Sequence, residues 1–230
     1  MGRLQVLQRI GLFGGTFNPI HSGHLRIANE IRERFSLDSI IFIPAGTPPH
    51  KVSKKIINPA HRLRMVELAV APYKYFTVSS IEVYRHGLSY SIDTVRALQD
   101  DLGDSAELFF ITGIDAFLEI STWKDADRLL ELCNFIVIQR PGYRFDELKR
   151  IELPALLGVS SSELESLDSG ELSRLSIPLT EKCSLFLERI TPCDISSTEL
   201  RRLIHDSKEV KNLLPENVMS YIIEQGLYLE

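Results

Sequence analysis

The sequence predicts an α/β protein built on a Rossmann-like, doubly wound parallel sheet, in one domain with a small C-terminal helical part. Two observations carry that expectation. Short apolar, β-branched runs alternate with stretches of helical periodicity along most of the chain. Five such strand-plus-connection units follow one another, and their strands read as continuous apolar runs, as strands buried on both faces do.

Arg9–Phe13 reads as the first strand, stopped by Gly14-Gly15. A helix is expected over Ser22–Phe35, with Leu25, Ala28, Ile31 and Phe35 on one face. Ser39–Pro44 (SIIFIP) is the second strand. The loop AGTPPHKVSKK follows it, then a helix over Pro59–Val70, with Asn58 capping and Pro59 at the first helical position. A third strand over Phe76–Ile81, a helix over Ile92–Leu102 and a fourth strand over Leu108–Thr112 come next. The fifth, Phe135–Gln139, ends at Arg140-Pro-Gly. From Tyr143 to Lys182 periodicity weakens and Ser, Glu and Leu dominate, which reads as an insertion of short helices or partial disorder. Ser184–Ile190 reads as a last strand, and helices over Ser197–His205 and Glu216–Glu224 close the sequence. The division expected is a core over residues 1–190, with 143–182 inserted, and a helical part over 191–230.

Composition narrows the function. The 230 residues are 44% hydrophobic and 25% charged, an ordinary soluble balance. A net charge of −5 argues against a dedicated nucleic-acid binder, which needs a basic face. No apolar run approaches the ~20 residues of a membrane span, and no N-terminal signal is evident. Cys133, Cys183 and Cys193 match no zinc spacing and read as reduced thiols of a cytoplasmic protein. A homo-oligomer is compatible with this sequence.

The chemistry begins in GGTFNPIHSGHL. A strand that runs through Gly14-Gly15-Thr16 into a helix lets backbone amides approach a phosphate, and the helix N-terminus adds a favourable dipole. The glycine spacing fits neither a Walker A loop nor a dinucleotide fingerprint. His21 and His24, three residues apart at a helix start, face the same side, and Gly23 removes a side chain between them. This pair makes a poor zinc site, lacking a nearby third ligand. At the other end, Ser196-Ser197-Thr198-Glu199 has the spacing of a capping box, with Arg201 and Arg202 in the first turns: a second candidate anion site.

GGTFNPIHSGHL resembles the N-terminal motif of the nucleotidyltransferase superfamily marked by H-x-G-H, and Ile195–Arg201 resembles its I-S-S-T-x-[IL]-R motif. The resemblance implies that His21, His24 and Arg201 are catalytic. It implies an ATP site made of Gly14, Gly15, Thr16, Phe17, His21, Gly23, His24, Gly113, Asp115, Ile195, Ser196, Ser197, Thr198 and Arg201. PPHK, SYSIDT, GIDAF…TWKD and YIIEQGLYLE together resemble the bacterial nicotinate-nucleotide adenylyltransferase family, which joins ATP to nicotinate mononucleotide. That implies a second set around the mononucleotide: Asn18, His50, Lys51, Tyr90, Ser91, Asp93, Thr94, Trp123 and Lys124. Trp123 would stack on the pyridine ring; Ser91 and the amides near Trp123 and Lys124 would meet the carboxylate. Asn18 stands where Asp is also common. Mg²⁺ would be held mainly by the ATP phosphates, with no protein metal site. The alternatives are nicotinamide mononucleotide or phosphopantetheine as acceptor, or a non-catalytic nucleotide sensor.

Overall fold

The computed structural model describes residues 7–47 and 56–229. Its elements, in chain order, are β1 Gln8–Gly15, α1 Ser22–Arg34, β2 Ser39–Pro44, α2 Pro59–Val70, β3 Phe76–Val78, α3 Ser91–Leu102, β4 Ala106–Gly113 and α4 Ile114–Phe117. They continue with α5 Ala126–Leu132, β5 Asn134–Ile138, α6 Ser161–Ser169, β6 Arg174–Pro178, β7 Ser184–Glu188, α7 Ser197–His205 and α8 Glu216–Glu224. The strands form one seven-stranded sheet in the order β3-β2-β1-β4-β5-β7-β6. Parallel pairing joins β1 to β4, β4 to β5, β5 to β7 and β2 to β3. This is the doubly wound α/β arrangement that the alternating pattern predicts.

The chain divides into two compact units, one of residues 1–13, 36–38 and 90–192, the other of 14–35, 39–89 and 193–230. In the first, β4 and β5 supply the core: Leu108–Gly113 and Asn134–Ile138 are buried throughout. Asn134 anchors these strands by polar contacts, its amide donating to Glu107 at 2.9 Å and its Oδ1 accepting from the Ser184 N–H at 2.9 Å. In the second, α1 buries Leu25, Ile27, Ala28 and Ile31, and Phe35 at its C-terminal end is buried as the periodicity requires. At α2, Asn58 Oδ1 accepts from the Ala60 N–H at 2.9 Å and Pro59 occupies the first turn, as expected of that sequence.

Residues 143–182 hold the short helices expected of them and add a strand that was not expected. Ser160 and Glu163 form a reciprocal capping box at α6 (Glu163 N–H to Ser160 Oγ 3.2 Å, Ser160 N–H to Glu163 2.9 Å), and Gly170 ends the helix at φ 90°. Asp168 accepts from the Phe145 and Asp146 amides at 2.8 and 3.2 Å, which ties the preceding 3₁₀ turn to α6. The segment then adds a strand, β6, which pairs antiparallel with β7. Arg174 of β6 reaches the buried Glu188 carboxylate of β7 at 2.6 Å. β6 escapes the sequence reading because RLSIP is short and its exposed positions interrupt an apolar pattern.

Asn58→Ala should lower unfolding free energy by about 1 kcal/mol in urea titration, since it removes the acceptor that satisfies the first free amide of α2.

Candidate active site

The donor-side motifs meet within the second unit. After Gly14-Gly15 the chain turns through Thr16 and Phe17, whose φ of 46° lies in the left-handed region. The Phe17 ring folds back onto Gly15, where an added Cβ would lie 2.9 Å from it, so that glycine is sterically required. The ring also meets His24 edge-on at 5.1 Å. His21 caps α1 with an extended backbone and is 3% exposed. The two imidazoles stack, their centroids 3.7 Å apart.

His24 Nδ1 accepts from the His21 backbone N–H at 3.2 Å. An accepting Nδ1 puts the proton of the neutral ring on Nε2, so His24 presents a donor there. Gly23 is also closely packed. A Cβ there would sit 2.7 Å from Cys193 Sγ and 3.0 Å from His21 Nδ1.

The C-terminal motif docks onto this turn. Arg201 Nη1 donates to the Asn18 carbonyl at 2.7 Å and to the Ser197 carbonyl at 3.3 Å, while Nη2 donates to Thr198 Oγ1 at 3.2 Å. Ser197 Oγ donates to the Pro19 carbonyl at 3.0 Å. Among the described residues this leaves Nε–H and a second Nη2 hydrogen of Arg201 for an anion. The capping-box expectation is corrected: Ser196 caps α7 without a side-chain bond, and Glu199 turns instead to Arg202, 2.9 Å from its Nε. The ion pair with Arg202 is a stronger partner for that carboxylate than a backbone amide.

Asn18 is the centre of this region. Besides holding Arg201 through its carbonyl, its Oδ1 accepts from the Tyr228 hydroxyl at 2.9 Å and from the Ile57 N–H at 3.5 Å. Tyr228 has φ 66°, and burial pushes its phenol above the ordinary tyrosine range. Tyr228 lies within YIIEQGLYLE but is not among the expected site residues, and Arg62, which is 0% exposed, lies in none of the sequence motifs.

The acceptor-side residues fall mostly in the first unit. Tyr90 caps α3 and Ser91 opens it. Asp93 binds Lys124 Nζ at 3.0 Å, and the same ammonium lies 4.9 Å over the Tyr90 ring. Thr94 is buried in the packed face of α3. Trp123 is half-buried, edge-on to Phe110 at 5.9 Å. Its backbone N–H donates to the Ile120 carbonyl at 3.0 Å, which leaves the Lys124 amide as the available donor of that pair. Gly113 opens α4, and Asp115 in its first turn lies 3.8 Å from Arg140 Nε. A Cβ on Gly113 would collide with Asp115 Oδ1 and lie 2.8 Å from that same Nε, so the Asp115–Arg140 pair crowds this position. His50 and Lys51 lie outside the described residues.

The sequence model of the cytidylyltransferase-like family matches residues 12–203. The chain belongs to this family. It is 40% identical over 220 residues to a Thermoanaerobacter sp. (strain X514) protein named "Probable nicotinate-nucleotide adenylyltransferase", covering 96% of this chain and 94% of that one. A Geobacter sp. (strain M21) protein of the same name is 42% identical over 222 residues, covering 96% and 99%. In structure the chain is similar to the nicotinic acid mononucleotide adenylyltransferase of Plasmodium falciparum. In its complex with NaAD the TM-score is 0.68 at 18% identity, over 97% of this chain and all of that one. The likeness extends to the same enzyme's complex with APC, with a TM-score of 0.65. The chain is therefore an enzyme of the nucleotidyltransferase class, on a Rossmann-like fold. No helix among the described residues is long and apolar enough to cross a membrane.

Gly23→Ala should cost about 1–3 kcal/mol of stability by overpacking against Cys193. Adding Cys193→Ala should recover most of that loss in the same denaturation assay. Strictly additive effects would show that the two residues do not press on each other.

Proposed function

We propose that this enzyme transfers AMP from ATP to nicotinate mononucleotide, producing deamido-NAD and pyrophosphate in the cytoplasm. The observation that carries the reading is the convergence of His21, His24 and Arg201 on the turn after β1, in a chain about 40% identical to proteins bearing that activity in their name. His24 Nε2, the free donors of Arg201 and the amides at Gly14–Thr16 are aimed to hold the triphosphate and to stabilise charge as pyrophosphate departs.

A 5′-phosphate oxygen of the acceptor attacks the α-phosphorus of ATP in line. The new P–O bond forms as the bond from the α-phosphorus to the bridging oxygen breaks, and that electron pair leaves with pyrophosphate. No protein nucleophile is required, and positioning does most of the work. The donor set at this turn (imidazoles, amides, a guanidinium) suits anions. Among the described residues no group of three or more His, Cys, Asp or Glu is placed to hold a metal ion. On this reading Mg²⁺ is carried by the ATP phosphates, where it would neutralise part of their charge.

On the acceptor side, Trp123 offers a half-exposed ring for the pyridine, and Ser91 with the Lys124 amide offers donors to its carboxylate. An amide in place of the carboxylate would supply the wrong polarity to those donors.

The deciding experiment is a pyrophosphate-release assay with ATP, comparing nicotinate mononucleotide, its amide and phosphopantetheine. Release with the first far above the others is expected; release with phosphopantetheine alone would overturn the reading. In the same assay His24→Ala should lower kcat by at least ~100-fold with the fold intact by circular dichroism. Trp123→Ala should chiefly raise KM for the mononucleotide; an unchanged KM with a lowered melting temperature would make Trp123 a core residue only.

A further inference from the structure

α2 carries Arg62 among its buried apolar positions, beside Leu63, Met65 and Val66. Its side chain is the largest of the fully buried ones. A cation so placed is ordinarily paired with a carboxylate. Here all three hydrogen bonds go to backbone carbonyls: Nη1 to Thr16 at 2.7 Å, Nη2 to Gly46 at 3.1 Å and Nε to Ile57 at 3.2 Å. Burial draws its pKa below the ordinary arginine value, and the Glu82 carboxylate offsets this through its field. An arginine still stays charged under such conditions.

Those three carbonyls come from three different segments. Thr16 belongs to the turn that follows Gly14-Gly15, Gly46 to the loop after β2, and Ile57 to the run that leads into α2. Gly46 is itself pinned, since a Cβ there would collide with the Glu82 carbonyl. The fork therefore joins the phosphate turn to Gly46 and Ile57. It also turns the Thr16 carbonyl toward a positive charge buried in protein. Its hydrogen bonds satisfy the guanidinium with neutral dipoles, and among the described residues no carboxylate bonds to it directly.

We propose that Arg62 is a positioning residue for the nucleoside triphosphate. Its planar fork holds the Thr16 turn in the shape that receives phosphate, and its buried charge is balanced by the polyphosphate of the bound ligand. It touches no substrate atom and acts through the Thr16 backbone. The inference rests on the proposed adenylyl transfer for its choice of ligand. The demand falls on ATP first, because Thr16 lies in the donor-side turn, whereas Tyr90, Ser91, Trp123 and Lys124 belong to the other compact unit; of the mononucleotide set, Asn18, His50 and Lys51 share the unit of Arg62. Arg62 should matter more for ATP than for the mononucleotide.

The test uses Arg62→Lys, which keeps the charge but not the fork, and Arg62→Gln, which keeps two donors but not the charge. Steady-state kinetics should show KM for ATP raised at least about tenfold in Arg62→Gln and by less in Arg62→Lys, the loss expected for charge-assisted bonds. KM for nicotinate mononucleotide should stay within about twofold, and added salt should weaken ATP binding less in Arg62→Gln than in the unaltered enzyme. A folded Arg62→Gln enzyme with unchanged KM for ATP overturns the proposal. So does a parallel rise in both KM values with a lowered melting temperature, the signature of a purely structural role. Should the unaltered enzyme release no pyrophosphate with any pyridine mononucleotide, the functional reading fails. The stabilisation of each variant by ATP in a thermal melt then still decides the role of Arg62: loss of the shift in Arg62→Gln supports it, and an undiminished shift overturns it.

Discussion

The hydrogen bond from Arg201 to the Asn18 carbonyl, at 2.7 Å, joins residues 183 positions apart and makes one site of two sequence ends. The turn after β1 alone presents amides and imidazoles with no fixed cation. Helix α7 alone is an ordinary surface helix whose arginines pair with its own acids, as Arg202 does with Glu199 and Asp206. Bringing α7 onto the turn through Arg201 and Ser197 commits some donors of one guanidinium to the protein, and on the proposed reading the rest serve a ligand. Tyr228 reinforces the arrangement, because its hydroxyl holds the same Asn18 by its side chain. The backbone of Asn18 orients the cation, and its side chain fastens the end of the chain.

The histidine pair shows how backbone chemistry sets side-chain chemistry. His21 gives its N–H to His24, and that single bond selects which nitrogen of His24 can donate outward. Stacking of the two rings, with Phe17 at the edge of one, fixes their orientation before any ligand arrives. Preorganisation of this kind is what an enzyme without a protein nucleophile has to offer.

Much of this was legible in the residues, because periodicity and capping are local. The apolar runs of β4 and β5, the Asn58-Pro59 start of α2 and the helix of α7 all follow from neighbours within a few positions. What was not legible depends on distant partners. Ser196-x-x-Glu199 has capping-box spacing, yet Arg202 outcompetes the backbone for Glu199. β6 becomes a strand because β7 offers it an edge and Glu188 offers its arginine a charge. Arg62 left one trace, an arginine where the α2 stripe calls for an apolar side chain, but its three carbonyl partners come from segments 5 to 46 positions away. The crowding of Gly23 by Cys193 and of Gly113 by Arg140 is visible only in the fold.

The central claim is that a triphosphate is held on the turn bearing His21 and His24. It is tested most directly by following the imidazole nitrogen resonances of the six histidines by NMR during titration with ATP. The account predicts saturable shifts at His21 and His24, with the Nδ1 of His24 keeping its hydrogen-bond-acceptor signature, while the exposed His86 and His205 stay in place. Saturable ATP binding that leaves the His21 and His24 resonances unmoved would contradict it.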